Sequence, residues 1–187
     1  AEDAAVYPAL AETLENMNIE QDVYHSDWAY QAKADAQEAK DGQEEFWSPF
    51  ESTSEYYVQR ADERILSGRE DFYEYCGGVH GMYGTIGHVF DTQTGERMAL
   101  SDAISDTDVL PMILAQKLVE KYPGDIYNPA DVLTETLAEY KLEDFVWTMD
   151  YQGITFYFNP YELASYAAGR LTATIWFDEH PELFDKT

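Results

Sequence analysis

Basic residues are scarce in this chain of 187 residues. It carries 11 lysines and arginines against 37 aspartates and glutamates, which gives a formal net charge of −26. A nucleic-acid-binding protein needs clustered basic side chains to neutralise phosphates, and an anionic membrane surface would repel this chain. We therefore expect neither partner, whereas a cationic partner would be attracted in a salt-dependent manner. The alternative interpretation is an acidic surface that serves only solubility.

Cysteines and long apolar runs are also scarce. The single cysteine, Cys76, excludes an intramolecular disulfide and leaves the redox character of the compartment unspecified. The longest apolar run, near residues 109 to 115, is far shorter than the roughly 20 residues that span a bilayer, so we expect no membrane insertion by this segment. The chain begins at Ala1 without a methionine, which indicates a processed or truncated protein.

Signatures of catalysis are missing as well. No His-Glu-x-x-His motif and no paired Cys/His spacing accompany the four histidines, so we predict no metal site. There is no Gly-x-Ser-x-Gly motif, and the glycine-rich segment is not followed directly by a helix that would hold a phosphate. Neighbouring acidic residues are expected by chance in so acidic a chain. We predict no catalytic residue and no cofactor, and we favour a binding protein over an enzyme.

Residues 1 to 50 predict a helical segment followed by a loop. Leu10, Leu14 and Met17 recur at helical spacing, and an alanine-rich stretch follows from Trp28 to Ala39, which together indicate one or two helices. The loop over residues 44 to 54 holds three aromatic side chains that we expect to anchor it to the core: Phe46, Trp47 and Phe50.

From Glu55 onward the chain alternates as strands do. Extended pieces are predicted over residues 55–60, 64–66, 72–76 and 85–90, and Ser67-Gly68 is expected to separate two of them. A turn over residues 91–95 should return the chain as a hairpin arm over 96–100, which gives a meander of four or five strands. Glycines are expected to shape the bend before the fourth piece and the following turn: Gly77, Gly78, Gly81 and Gly95.

The second half of the chain predicts two helices and then more strands. Apolar faces indicate helices over residues 110–122 and 128–140, and alternation indicates strands over 145–149, 154–158 and 171–177. We therefore predict an α+β fold, an antiparallel sheet with two central helices packed on one face, plus an N-terminal helical segment. Residues 1–50 and 51–187 are expected to belong to one globular unit.

Two separated segments resemble a family of extracytoplasmic bacterial domains. The first runs from Tyr75-Cys76-Gly77-Gly78-Val79-His80-Gly81 through residues 91–96 to Leu100-Ser101-Asp102, and the second runs from Gly153 to Gly169 and contains Asn159-Pro160-Tyr161. Over residues 55–177 the chain is similar to the outward-facing C-terminal domain of RsiV-type anti-sigma factors and to the accessory domain of PdaC-type peptidoglycan deacetylases. We expect Pro160 and Gly169 to be structural, like the glycines of the first segment.

The resemblance implies a non-catalytic binding or sensing domain of a bacterial cell-envelope protein. Such a domain lies outside the cytoplasm, in a secreted, lipoprotein or membrane-anchored protein. RsiV-type domains bind lysozyme, a strongly cationic enzyme, which agrees in sign with the charge of −26. Two alternatives stay open: an accessory or catalytic domain acting on peptidoglycan or another glycan, and a structural domain without a ligand. The candidate contact residues are two histidines, His80 and His88, and three tyrosines that we expect to be exposed: Tyr83, Tyr157 and Tyr161.

Overall fold

One long helix forms the N-terminal part of the fold. The computed structural model describes residues 5–42, 48–126 and 128–184, so Phe46 and Trp47 lie outside the described residues. Helix α1 runs from Pro8 to Asp41 and ends at Gly42. No proline or glycine interrupts it after its first residue, which explains why the two predicted stretches form a single helix of 34 residues. It buries only Leu10 and Ala39.

Three antiparallel strands form the first sheet. They are β1 (Glu51–Ala61), β2 (Ile65–Tyr75) and β3 (Met82–Asp91), in the order β1-β2-β3. The prediction that Ser67-Gly68 separates two strands is wrong, because both residues lie inside β2. Gly68 instead serves a close approach: a Cβ there would lie 2.7 Å from the carbonyl oxygen of Tyr57, next to a register shift in β1.

The predicted hairpin arm over residues 96–100 is not a strand. A single bridge pairs Arg97 with Phe90, and the chain then enters the short helix α2 (Leu100–Ala103). Helices α3 (Leu110–Lys121) and α4 (Ala130–Ala138) follow. They occupy most of the two predicted helical ranges. Of their six buried residues, Ala115 lies outside the predicted apolar faces and five belong to them: Leu110, Leu114, Leu118, Leu133 and Leu137. Val132, expected on the buried face of α4, is 41% exposed.

A second antiparallel sheet follows the helices. It contains β4 (Val146–Met149), β5 (Gly153–Phe158) and β6 (Leu171–Trp176), in the order β4-β5-β6. Helices α3 and α4 pack on each other, and α3 also contacts β6. The predicted α+β class is confirmed, with the strands divided into two sheets of three. That residues 1–50 and 51–187 form one unit stays a prediction.

The two sheets meet along β4. A Cβ at Gly87 of β3 would lie 2.1 Å from the carbonyl oxygen of Trp147, so only glycine permits this approach. The backbone N–H of Met149 donates to the hydroxyl of Ser67 in β2 at 2.8 Å. The buried apolar core extends from this junction to α3 and α4. Among the described residues, no helix is both long enough and apolar enough to cross a membrane.

Candidate functional site

The two segments singled out in the sequence meet at one end of the first sheet. The first is the connection between β2 and β3, over residues 76–81. The second comprises the turn after β5 and a 3₁₀ turn, Tyr166–Ala168, that precedes β6. The hydroxyl of Tyr166 donates to the carbonyl oxygen of Gly81 at 2.8 Å. Both segments therefore contribute to a single surface.

Glycines shape the connection between β2 and β3 in two ways. Gly77 and Gly78 have φ values of 97° and 98°, which side-chain-bearing residues rarely adopt. The hydroxyl of Tyr75 donates to the carbonyl oxygen of Gly78 at 3.0 Å and closes the loop. At Gly81 a Cβ would lie 2.5 Å from the ring of Tyr73, so a side chain there would require that ring to move.

Four aromatic side chains come together here, and we call them the tyrosine cluster: His80, Tyr83, Tyr161 and Tyr166. The rings of His80 and Tyr166 stack with centroids 4.0 Å apart. Tyr83 meets Tyr166 edge-on at 5.4 Å, and Tyr161 lies 5.6 Å from it. Three of the five predicted contact residues thus surround Tyr166, which the sequence offered only as part of the second segment.

Tyr161 has an unusual backbone conformation. Its φ is 74°, and it is the one non-glycine residue with a positive φ among the described residues. The N–H of Glu162 donates to the carbonyl oxygen of Asn159 at 3.1 Å, so Pro160 and Tyr161 occupy the centre of a four-residue turn. Glycine or asparagine is usual at this position. Its side chain is 58% exposed, and strain held at an exposed ring is typical of functional positions.

Asn159 fixes this turn to the outer edge of β3. Its side-chain oxygen accepts from the N–H of Thr85 at 2.7 Å, and its amide donates to the carbonyl oxygen of Thr85 at 3.3 Å. Gly169, with a φ of 76°, lets the chain pass the hydroxyl of Tyr83, which a Cβ would approach to 3.3 Å. The turn that carries Tyr161 is therefore tied to β3 by two hydrogen bonds.

Asp71 joins the two sheets beneath the cluster. It accepts hydrogen bonds from the Thr85 hydroxyl at 2.6 Å and from Arg69 Nε at 3.0 Å, and it forms an ion pair with Arg170 at the start of β6. Partial burial opposes its ionisation, but the Thr85 hydroxyl and the two guanidinium groups hold the pKa of Asp71 below its ordinary value. Asp71 is therefore ionised at neutral pH and acts as a structural anchor.

An open groove of about 460 Å³ adjoins the cluster through Tyr83. Its walls combine aromatic rings with charged side chains, including Glu55, Asp71, Tyr73 and Arg170. Rings beside carboxylates can contact cationic side chains or the faces of sugar rings.

Tyr157, predicted as an exposed contact residue, is only 3% exposed. Its hydroxyl accepts from the amide of Gln59 at 2.8 Å and bonds to the hydroxyl of Thr148 at 3.0 Å. The guanidinium of Arg170 lies 5.6 Å from its ring centroid. The prediction of exposure is wrong because β5 is the middle strand of its sheet and lies between the helices and the first sheet.

His88 lies apart from the tyrosine cluster. It is 9% exposed, and its Nε2 lies 3.3 Å from a carboxylate oxygen of Glu70, the residue before Asp71. Successive residues of a strand point to opposite faces, so Glu70 and Asp71 occupy opposite faces of the first sheet. His80 precedes β3, and the two histidines do not meet. Within the described ranges, no three His, Cys, Asp or Glu side chains are grouped to hold a metal ion.

The fold and site define an α+β domain of two three-stranded sheets with an aromatic surface at their junction. Residues 105–178 match the sequence model of a family described as a protein of unknown function, DUF3298. This range includes Tyr157, Tyr161 and Tyr166, and it begins after the glycine-rich first segment has ended. No curated protein matches the chain in sequence.

Two solved structures of DUF3298 family proteins share the fold. A Bacteroides fragilis protein has a TM-score of 0.65 at 21% identity, covering 91% of this chain and 69% of its own. A Pseudomonas aeruginosa protein has a TM-score of 0.52 at 15% identity, covering 74% of this chain and 64% of its own. At these identities the likeness concerns the fold alone. The matched region spans about two thirds of the length of each of these two proteins.

Proposed function

We propose that the chain is a non-catalytic binding domain of a bacterial cell-envelope protein, displayed outside the cytoplasm, that recognises a cationic protein such as lysozyme. One observation carries the proposal: both sequence segments converge on an exposed tyrosine held at a positive φ, in a chain of net charge −26. The resemblance to RsiV-type and PdaC-type domains supports the same class of role.

Charge and aromatic contact would act at different ranges. In the described part of the chain, ion pairs with lysine or arginine engage four carboxylates: Asp62, Asp71, Glu143 and Glu179. The large excess of acidic residues is thus left to attract a cationic partner over a distance. The tyrosine cluster would then supply short-range contacts, because tyrosine rings give a large contact area at a low entropic cost and attract guanidinium and ammonium groups.

The groove supports binding rather than acid–base catalysis. A general acid needs a pKa raised toward the working pH, whereas the Thr85 hydroxyl and the two arginines hold the pKa of Asp71 below its ordinary value, against the opposing effect of partial burial. The same arginines occupy its oxygens. A role as an anchor for the surrounding surface agrees with this arrangement.

Calorimetric titration with lysozyme tests the proposal. We expect binding at about 0.01 M salt that weakens at about 0.15 M, as the screening length falls from about 30 to about 8 Å. Tyr161→Ala and Tyr166→Ala should each lower the affinity about tenfold or more, since each removes a ring from the contact. The control is Tyr151→Ala: Tyr151 is 61% exposed but lies in the turn before β5, at the opposite end of that strand.

Absence of binding heat at low salt would refute recognition of lysozyme. Equal weakening by Tyr151→Ala and Tyr161→Ala would refute the tyrosine cluster as the contact surface. Binding that survives high salt unchanged would contradict the role assigned to the net charge.

A cell-wall glycan is the second candidate ligand, favoured by the rings of Tyr73 and Tyr83 beside Glu55 in the groove. Titration with soluble muropeptides should then give binding that salt hardly changes and that Tyr83→Ala abolishes. Turnover of acetylated muropeptides that is lost in His80→Ala would instead favour an enzyme acting on peptidoglycan. Failure to bind or convert either ligand would leave a structural domain.

A further inference from the structure

A second pocket lies on the opposite face of the first sheet, under helix α1. Its volume is about 280 Å³. Leu14 and Met17 of α1 form one side, and Leu66 and Gly68 of β2 lie on the other. His88, which lines this pocket, contacts Glu70, whereas Asp71 lines the groove beside the tyrosine cluster. Because Glu70 and Asp71 point to opposite faces of the sheet, the pocket and the groove are separate.

The pocket follows from two features of the fold. Gly68 has no side chain to fill the space beneath α1, and it must be glycine because a Cβ would lie 2.7 Å from the Tyr57 carbonyl oxygen. Helix α1 buries only Leu10 and Ala39, so Leu14 and Met17 are not fully packed against the sheet. A space is thus left between two regular elements.

A row of rings lines the sheet side of the pocket. The centroids of Tyr56 and His88 are 6.2 Å apart, and those of His88 and Phe90 are 6.3 Å apart with their planes inclined by only 15°. All three residues line the pocket. A flat ring inserted here would stack on this row and meet the sulfur of Met17 from the helix side.

The polar groups of His88 are already satisfied within the protein. Arg97 Nη2 lies 3.0 Å from Nδ1 of His88, and arginine can only donate, so Nδ1 accepts. The other nitrogen, Nε2, then carries the proton and donates to Glu70 at 3.3 Å. Gln21 of α1 also donates to Glu70, at 3.2 Å. Arg69 also lines the pocket, but its guanidinium is paired with Asp71 at 3.0 Å. The wall therefore presents no unpaired charge for an ionic ligand, and the net charge of −26 opposes an anion further.

We propose that this pocket binds an uncharged, planar aromatic small molecule between helix α1 and the first sheet. The volume lies just below the usual range for ligand pockets, which suits one ring or two fused rings. Asn18, at the exposed rim, offers an amide to one hydrogen-bonding group of the ligand. The site is independent of the tyrosine cluster and of the partner proposed for it.

Methyl NMR of the wild-type chain tests the proposal, with indole as the uncharged probe. The chain has five methionines, and labelling their methyl carbons reports on each one. We expect indole to shift the Met17 signal saturably, with a dissociation constant on the order of 0.1–1 mM for so small a ligand. The signal of Met112, which is 57% exposed on α3, should not move. Indole-3-carboxylate, the anionic counterpart, should bind at least tenfold more weakly.

A filling substitution provides the matched comparison. Met17→Trp places a larger side chain in the pocket and removes the Met17 signal, so its binding is followed through the NMR signals of indole itself. It should weaken indole binding at least tenfold, whereas Met112→Trp should leave it unchanged. A linear, non-saturating shift, a shift of Met112 equal to that of Met17, or equal binding of indole and indole-3-carboxylate would overturn the proposal. The proposal would also be overturned if a folded Met17→Trp variant bound indole as tightly as the wild type. Because the wild-type titration is decisive by itself, failure of that variant to fold leaves the test intact.

Discussion

Replacing Tyr161 by alanine and, separately, by glycine measures the conformational cost of its positive φ. Both variants remove the ring and its contact with Tyr166, so the loss of aromatic packing is common to them. Alanine keeps the strain of a side-chain-bearing residue at a φ of 74°, about 1–2 kcal/mol, and glycine relieves it. Glycine also loses about 0.4–1 kcal/mol through its more flexible unfolded chain.

The difference between the middles of these two ranges favours glycine by about 0.8 kcal/mol. Urea denaturation measures it: for a slope of about 2 kcal/mol per molar urea, the midpoint of Tyr161→Gly should exceed that of Tyr161→Ala by about 0.3–0.5 M. Binding of lysozyme should be weakened equally in both, since neither carries the ring. The two variants would thus differ in stability but not in their affinity for lysozyme.

The same pair of substitutions at Tyr151 is the control. Tyr151 is also exposed, and its φ is not positive. Glycine there should be less stable than alanine by about 0.4–1 kcal/mol, the reverse of the order at Tyr161. An alanine variant of Tyr161 that equals or exceeds the glycine variant in stability would refute the assignment of strain to this turn.

Three further predictions concern the frame of the domain, and urea denaturation checks each. Gly87→Ala should destabilise the protein by about 3 kcal/mol or more, because its Cβ would lie 2.1 Å from a carbonyl oxygen of β4. Gly124→Ala is the control: a Cβ there has no atom within 4 Å, and stability should change by less than about 1 kcal/mol. Equal effects of the two substitutions would contradict the close sheet junction. Glu70→Gln should destabilise by about 1–3 kcal/mol at neutral pH. Burial opposes the charge of Glu70, but hydrogen bonds, first among them that from His88, keep its folded pKa below the ordinary 4.5. The stability that the variant lacks relative to the wild type should therefore shrink as the pH falls below 4.5. A stability difference that stays constant with pH would contradict this. Asn159→Ala should cost about 1–3 kcal/mol and speed amide exchange at the outer edge of β3, and unchanged exchange there would count against its role.

Local patterns predicted the helices well and the strands less well. In α3 and α4 apolar residues recur at helical spacing within a stretch of about a dozen residues, so the sequence alone was enough to locate these two helices. Gly68 was mistaken for a break because glycine usually ends a strand. Its real role depends on the carbonyl of Tyr57 in a neighbouring strand, a contact that no local pattern reveals.

The site could be predicted only in part. His80, Tyr83 and Tyr161 lie in or next to the two segments that carry the family resemblance, but their meeting around Tyr166 depends on how the two sheets join. Tyr157 was expected to be exposed because the strand appeared to alternate. The continuous apolar character of β5 was the available signal, since a strand covered on both faces has no polar side.

The contacts along β3 also decide where this protein can pair with another strand. The outer edge of β3 is occupied: Asn159 bonds to Thr85, Arg97 donates to the carbonyl oxygen of Gly87 at 2.7 Å, and Met98 donates to that of Val89 at 2.8 Å. Exposed strand edges recruit other chains and promote aggregation. Growth of the first sheet is therefore confined to β1, where a register shift and acidic side chains discourage a flat, self-complementary match.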